Sequence, residues 1–229
     1  MKLLFIRHGE PDYEKDCLTE NGRVQAQLLA RRLESEEKIK AVYISPMGRA
    51  AETAQAYLKG KNIPSKICDW MHEFDAKVSD PDWAEPVPVW DLYPKNWTEN
   101  ENCFDRKAFA DDDPIKQSEV PSRFEAVRKG LDEVLAANGL IREGEVYIKT
   151  DDADTTLAFF CHFGTTCVMI AHLLNISPII ALQGFSAEPT AIATLCTDDR
   201  FGDRVNFRIH GFGDIHHLGK ITGSGVNYK

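Results

Sequence analysis

The chain is predicted to form an α/β fold in three layers, α/β/α, with a mostly parallel sheet, an antiparallel edge strand and an inserted cap region. Three observations lead there. Short apolar runs stop abruptly on polar residues, as strands covered on both faces do. These runs alternate with stretches of helical spacing, the rhythm of a parallel sheet with crossover helices. The rhythm then breaks once, from about residue 74 to 117, where tryptophans and prolines replace any period.

Residues 2 to 7, Lys-Leu-Leu-Phe-Ile-Arg, make the first strand. Thr19 is a suitable N-cap for a helix whose apolar face includes Leu28, Leu29 and Leu33. Residues 41 to 45, Ala-Val-Tyr-Ile-Ser, read as a second strand, and Pro46 stands where a proline opens the first turn of a helix running to about Leu58. A third strand is expected over 65 to 70. The irregular stretch 74–117 carries Trp83, Trp90, Trp97 and the run Asp111-Asp-Asp-Pro114, and a segment of that length inside a compact domain is usually a lid or binding loop.

Helical spacing resumes near Pro121, with Phe124, Val127, Leu131, Val134 and Leu135 on one face, and ends at Asn138-Gly139. Strands follow over 145–149 and 155–161, joined through Asp151-Asp-Ala-Asp154. The second runs straight into His162, with Gly164 just beyond, which repeats the Arg7-His8-Gly9 ending of the first strand. A helix from Thr165 to about Leu174 is then expected, with its first N–H groups free to face an anion. Strands near 190–197 and 204–211 complete an antiparallel edge. The whole, 1–229, is taken as one domain with the cap inserted at about 74–117.

With 43% hydrophobic and 28% charged residues, the 229-residue chain has the balance of a globular protein. A net charge of -9 argues against a nucleic-acid or anionic-membrane partner, which a basic patch would normally meet. The six cysteines lack a Cys-x-x-Cys pair, so neither a zinc site nor a disulfide scaffold is indicated, and reduced thiols are expected. The four apolar residues before Arg7 are too few for a signal peptide, and no run approaches the ~20 residues of a membrane span. The expected location is cytoplasmic.

In open α/β sheets ligands bind beyond the carboxyl ends of strands, where Arg7, His8 and His162 fall. Histidine can attack or shuttle protons near neutral pH, and arginine offers a fork of donors for phosphate or carboxylate. The block Arg7-His8-Gly9-Glu10, the stretch Leu18-Thr-Glu-x-Gly22-x-x-Gln-Ala26, Ser45-Pro46 leading to Arg49 and Glu52-Thr53, and the second strand-end histidine stand in a telling order. Together they resemble the histidine phosphatase superfamily, which includes the cofactor-dependent phosphoglycerate mutases.

The resemblance implies that His8 is the nucleophile that takes the phosphoryl group, and that Arg7, Arg49 and His162 hold its oxygens. It implies a proton donor after the third strand, where Glu73 stands within Trp70-Met-His-Glu-Phe74. The glycine and second glutamate that often follow are missing, and His72, Asp75 and Glu10 compete for the role. Pro11 and Glu14 replace the small hydroxyl residue and the asparagine that many members use on phosphate. Cys161 reads as core. Adjacent histidines such as His216 and His217 point to opposite sides of an extended segment, which is poor geometry for a metal, and one of them is left to line the pocket. Trp83, Trp90 and Trp97 make either a wall beside the phosphate or the core of their own loop.

The expected activity is hydrolysis of a phosphate monoester through a phosphohistidine, without metal or cofactor. A phosphoglycerate mutase-type transfer is the alternative, and a non-catalytic phosphate-ligand module stands behind it. The expected partner is a small phosphorylated molecule, with a homodimer left open.

Overall fold

In the computed structural model, which describes residues 1–150 and 154–221, an eight-stranded sheet is covered by helices on both faces. Its strands are β1 (Lys2–Arg7), β2 (Ile39–Ile44), β3 (Ser65–Ile67), β4 (Leu140–Glu143), β5 (Val146–Lys149), β6 (Thr156–Cys161), β7 (Ile192–Asp198) and β8 (Arg204–Asp214). The helices are α1 (Glu20–Glu36), α2 (Gly48–Leu58), the short α3 (Pro94–Thr98), α4 (Val120–Ala136), α5 (Phe163–Leu174) and α6 (Pro178–Gly184). The strand order is β3-β2-β6-β1-β7-β8-β5-β4. The pairs β3–β2, β2–β6 and β6–β1 are parallel, and the strands beyond β1 are antiparallel.

Alternation along each strand sorts the core into two layers. Leu4, Ile6, Val42, Ala158 and Phe160 meet Leu29, Ala30 and Leu33 of α1 and Ala54 and Tyr57 of α2. Leu3, Phe5, Leu157, Phe159 and Cys161 face the opposite way, onto α4, α5 and α6. Both faces of β1 are therefore dry, which explains its unbroken apolar run.

Several boundaries differ from expectation for identifiable reasons. Thr19 caps α1 as predicted, its Oγ1 accepting from the Gly22 N–H at 2.9 Å. Pro46, however, lies outside α2, which starts at Gly48 behind an extended Met47. The third strand stops at Ile67 and gives way to a 3-10 turn, Asp69–Met71. Helix α5 begins two residues earlier than expected, at Phe163. Leu140–Glu143 pairs with Val146–Lys149 through a turn at Gly144, whose φ of 61° suits glycine, and this hairpin continues the sheet from β8. The expected connection 151–154 falls largely outside the described residues.

The stretch 74–117 is built from a two-stranded ribbon, Lys77–Val78 with Val87–Pro88, several 3-10 turns and α3. Its Phe74, Ala76, Val78, Val89, Leu92, Cys103, Phe109 and Ile115 are buried in the same cluster as α4 and α5. Ser177 Oγ donates to the Cys103 carbonyl at 2.5 Å and Gln183 Nε2 to the Val89 carbonyl at 2.7 Å, tying the segment to α6. No helix among the described residues is long and apolar enough to cross a membrane.

Phe159 is fully buried between Phe5 and Tyr43, each ring 5.1 Å away. Phe159→Ala is expected to cost about 3–5 kcal/mol of stability, read as a lowered urea midpoint with an unchanged slope.

Candidate active site

Three neighbouring parallel strands end side by side. Arg7 of β1 is in register with Cys161 of β6, so the next residues, His8 and His162, are neighbours. Their rings lie 5.1 Å apart between centroids. Ser45, just after β2, completes the row, its Oγ 2.7 Å from His162 Nε2. Both histidines are buried, at 1% and 0% exposure.

The hydrogen bonds set the tautomers. His8 Nδ1 lies 2.7 Å from the Gly9 carbonyl, which only accepts, so Nδ1 carries the proton and Nε2 keeps its lone pair. Ser45 Oγ already accepts from the Met47 N–H at 3.3 Å. Its own proton is available to His162 Nε2, and with Ser45 donating, His162 Nδ1–H is a buried donor with no protein partner. Burial and the nearby arginines hold both rings neutral, with the pKa of His8 lowered to about 3 and that of His162 to about 2.

The arginines supply the positive charge. Arg7 donates through Nη1 to the Ala187 carbonyl, and its buried Nε has no partner. Arg49 is 5% exposed, one residue into α2, with its Nε likewise unpartnered. Its Nη1 pairs with Asp16 Oδ1 at 2.6 Å, and the Tyr13 ring lies 5.4 Å from its guanidinium carbon. Asp16 also accepts the Gly48 N–H at 2.6 Å. This clamp needs glycine at 48, because a Cβ there would stand 2.1 Å from the Asp16 carbonyl oxygen.

Glu73 is partly buried, and its Oε1 accepts the Phe74 N–H at 2.8 Å and the Thr165 N–H at 3.3 Å. The N-terminal turn of α5, expected to face an anion, thus receives this carboxyl. Burial raises the Glu73 pKa above the usual carboxylate range, against the opposing pull of the Phe74 N–H, Arg7, the Thr165 N–H and Arg49. Its backbone is held as well, since Arg123 Nη2 donates to the Glu73 carbonyl.

The competing groups are exposed or spent on other partners. Asp75 is exposed and paired with Arg123 at 2.8 Å. Glu10 spends its carboxylate on Thr19 Oγ1 at 2.8 Å and Asn21 Nδ2 at 2.7 Å, bracing the start of α1. His72 is exposed, and its carbonyl accepts from Thr165 Oγ1 at 2.5 Å. Pro11 lies in a small ribbon with Leu18, and Glu14 is exposed. The tryptophans part company: Trp90 lies against Gly164 beside Glu73, Trp97 pairs with Phe104 at 5.9 Å, and Trp83 is exposed. Cys161 is fully buried, its thiol pushed up to about 12 by burial.

Sequence reasoning missed Asp16, an acidic residue in an unremarkable loop whose only signal was its place after the first block. It also missed a link from the C-terminal segment. His217 Nε2 is 2.9 Å from Thr190 Oγ1, and the Thr190 N–H donates to the His8 carbonyl at 3.0 Å, while His216 is exposed. Among the described residues no group of three or more His, Cys, Asp and Glu could hold a metal ion.

A family model described as histidine phosphatase superfamily (branch 1) matches residues 3–207. A phosphoglycerate mutase-like protein of Arabidopsis thaliana is 40% identical over 63 residues, 24% of this chain and 27% of its own length. A protein of Schizosaccharomyces pombe named probable phosphatase is 37% identical over 83 residues, 32% of this chain and 39% of its own. The matched stretches thus span well under half of these curated relatives. Among solved structures, a phosphoserine phosphatase mutant of Entamoeba histolytica with phosphoserine superposes with a TM-score of 0.59 at 22% identity, covering 95% of this chain and 98% of that one. An alpha-ribazole phosphatase of Shigella flexneri gives 0.59 at 18% identity over 94% and 97%. A mycobacterial glucosyl-3-phosphoglycerate phosphatase with VO3 gives 0.59 at 18% over 93% and 98%. At these identities the structural likeness establishes the fold.

The depressed histidines have a consequence for stability. Unfolded, His8 takes a proton near 6.5, whereas folded it does so only near 3. The unfolded chain therefore binds more protons between those values, so this contribution is fully present above pH 6.5 and is lost as pH falls toward 3. The urea midpoint is expected to fall across that window, and the His8 and His162 ring signals in NMR to remain those of neutral imidazole down to about pH 5.

Proposed function

We propose that this chain, which belongs to the histidine phosphatase superfamily, hydrolyses phosphate monoesters without a metal ion, through a phosphohistidine on His8. One observation supports the reading: the His8 imidazole, its Nδ1–H held by the Gly9 carbonyl, lies near Arg7, Arg49 and His162, whose Nε, Nε and Nδ1 are buried without protein partners. A tetrahedral dianion satisfies such donors and balances the two cations. Catalysis of phosphoryl transfer is mostly positioning and charge stabilisation of this kind.

In the first step His8 Nε2 forms a bond to phosphorus as the ester P–O bond breaks in line. Glu73, protonated because burial raises its pKa, gives its proton to the departing oxygen. The Gly9 carbonyl steadies the imidazolium through Nδ1–H. In the second step the Glu73 carboxylate takes a proton from water as the water oxygen attacks phosphorus. The P–N bond breaks, releasing inorganic phosphate and restoring both side chains. Arg7, Arg49 and His162 hold the equatorial oxygens throughout.

His8→Ala is expected to reduce 4-nitrophenyl phosphate hydrolysis to background with EDTA present, and retained activity would overturn the assignment. Arg49→Met should lower kcat/KM by about 10²–10³-fold. Glu73→Gln should cost about 10²–10⁴ in kcat for esters of alkyl alcohols, and much less for 4-nitrophenyl phosphate, whose leaving group needs little help from an acid. The pH profile for alkyl esters should fall on the alkaline side as Glu73 loses its proton. Coupled assays with 3-phosphoglycerate, with and without a bisphosphate primer, are expected to show no mutase turnover.

A further inference from the structure

Trp90 comes from the irregular stretch, yet it is held rigidly. It stands on a 3-10 turn, Val89–Asp91, in which the Val89 N–H donates to the Ala76 carbonyl at 3.0 Å and the Val89 carbonyl accepts from Gln183 at 2.7 Å. Its ring meets Phe163 edge-on at 6.3 Å. It also closes over Gly164. A Cβ on that glycine would stand 2.7 Å from Trp90 Cζ3 and 3.0 Å from Glu73 Oε1, so indole and carboxyl flank one point. Only the lack of a side chain at 164 lets them do so.

An acid that protonates a leaving oxygen must come within about 2.6–3.2 Å of it. The carbon bonded to that oxygen is then delivered to whatever borders the acid, which here is an indole. An aromatic edge or face rewards planar and apolar groups, whereas hydroxyls set against it lose water without gaining a partner. We infer that Trp90 is the leaving-group wall of this site, selecting phosphate monoesters of alcohols with a planar or apolar group next to the ester oxygen, and that its ring keeps bulk water from Glu73 while the ester is bound. The inference rests on the phosphatase reading above.

The charged and titratable groups facing Glu73 are Arg7 from the end of β1, Arg49 from α2, Arg123 from α4, and the thiols of Cys161 and Cys167. His72 precedes it in the chain. None of these changes when Trp90 is replaced, so a change in Glu73 titration in such a variant reports hydration by solvent.

Benzyl phosphate and glycerol 1-phosphate test this, because both release alkoxides and differ mainly in the planar group. The wild-type protein is expected to favour benzyl phosphate by about tenfold or more in kcat/KM. Trp90→Ala should bring the ratio within about threefold, and Trp90→Phe should keep most of it. In Trp90→Ala the alkaline limb of kcat should move down by about one pH unit as water reaches Glu73. Inhibition by inorganic phosphate should stay constant, since the phosphoryl pocket is untouched. If Trp90→Ala fails to fold, Trp90→Gln carries the same comparison, with a polar amide in place of the ring. No preference for benzyl phosphate, or a preference that survives Trp90→Ala, overturns the inference, while His8-dependent hydrolysis in the same assays leaves the phosphatase reading standing. Absence of hydrolysis with either ester, together with no acid-labile phosphate on His8, overturns both.

Discussion

The parallel pairing of β1 with β6, with Arg7 opposite Cys161, is the constraint on which the site depends. It sets two strand-end histidines next to one another and leaves the His8 N–H bonded to the Cys161 carbonyl at 3.0 Å. Because side chains alternate along a strand, a slip of one residue would send the apolar set of β1 to the wrong faces and separate the rings. Both faces of β1 are buried, so such a slip would expose Leu3 and Phe5 or Leu4 and Ile6 to mismatched neighbours. The hydrophobic core thereby enforces the geometry of the polar edge.

That edge holds an electrostatic imbalance. Arg49 is buried and Arg7 half-buried beside two imidazoles that stay neutral, and burying charge is costly unless it is paired. The protein offsets part of this with neighbouring acceptors. Asp16 takes Arg49 and the Gly48 N–H at the start of α2, and the Ala187 carbonyl takes Arg7. The Nε atoms of Arg7 and Arg49 stay without a protein partner near the His8 ring. Glu73 works against the same cations: they favour its charged form, and burial outweighs them.

The irregular stretch adds the chain's individual character to this shared frame. Its apolar residues merge with the core under α4 and α5, and its hydrogen bonds to α6 hold Trp90 over Gly164. In the proposed reaction the phosphate end is built by strand ends and α2 and the leaving-group end by the insertion, so the two ends belong to different segments.

Local chemistry carries far along this chain. Apolar runs, a Thr19 cap and helical spacing mark the strands and helices of the core, because each depends on neighbours in sequence and on burial that any compact fold supplies. Arg7, His8, Arg49 and His162 were legible for the same reason, each standing at a strand or helix boundary. The 140–143 strand, by contrast, is the edge strand paired to β5, which itself joins the sheet through β8. The placing of Glu73 against Thr165, the Asp16 clamp and the meeting of Trp90 with Gly164 join segments 32 to 92 residues apart, while Asp75 and Glu10 are spent on other partners. The sequence by itself determined the strands, their polar ends and the candidate site residues at them. Only the tertiary structure decided which carboxyl meets the N-terminus of α5 and which aromatic ring borders it, since desolvation and close approach are properties of surfaces that meet in space.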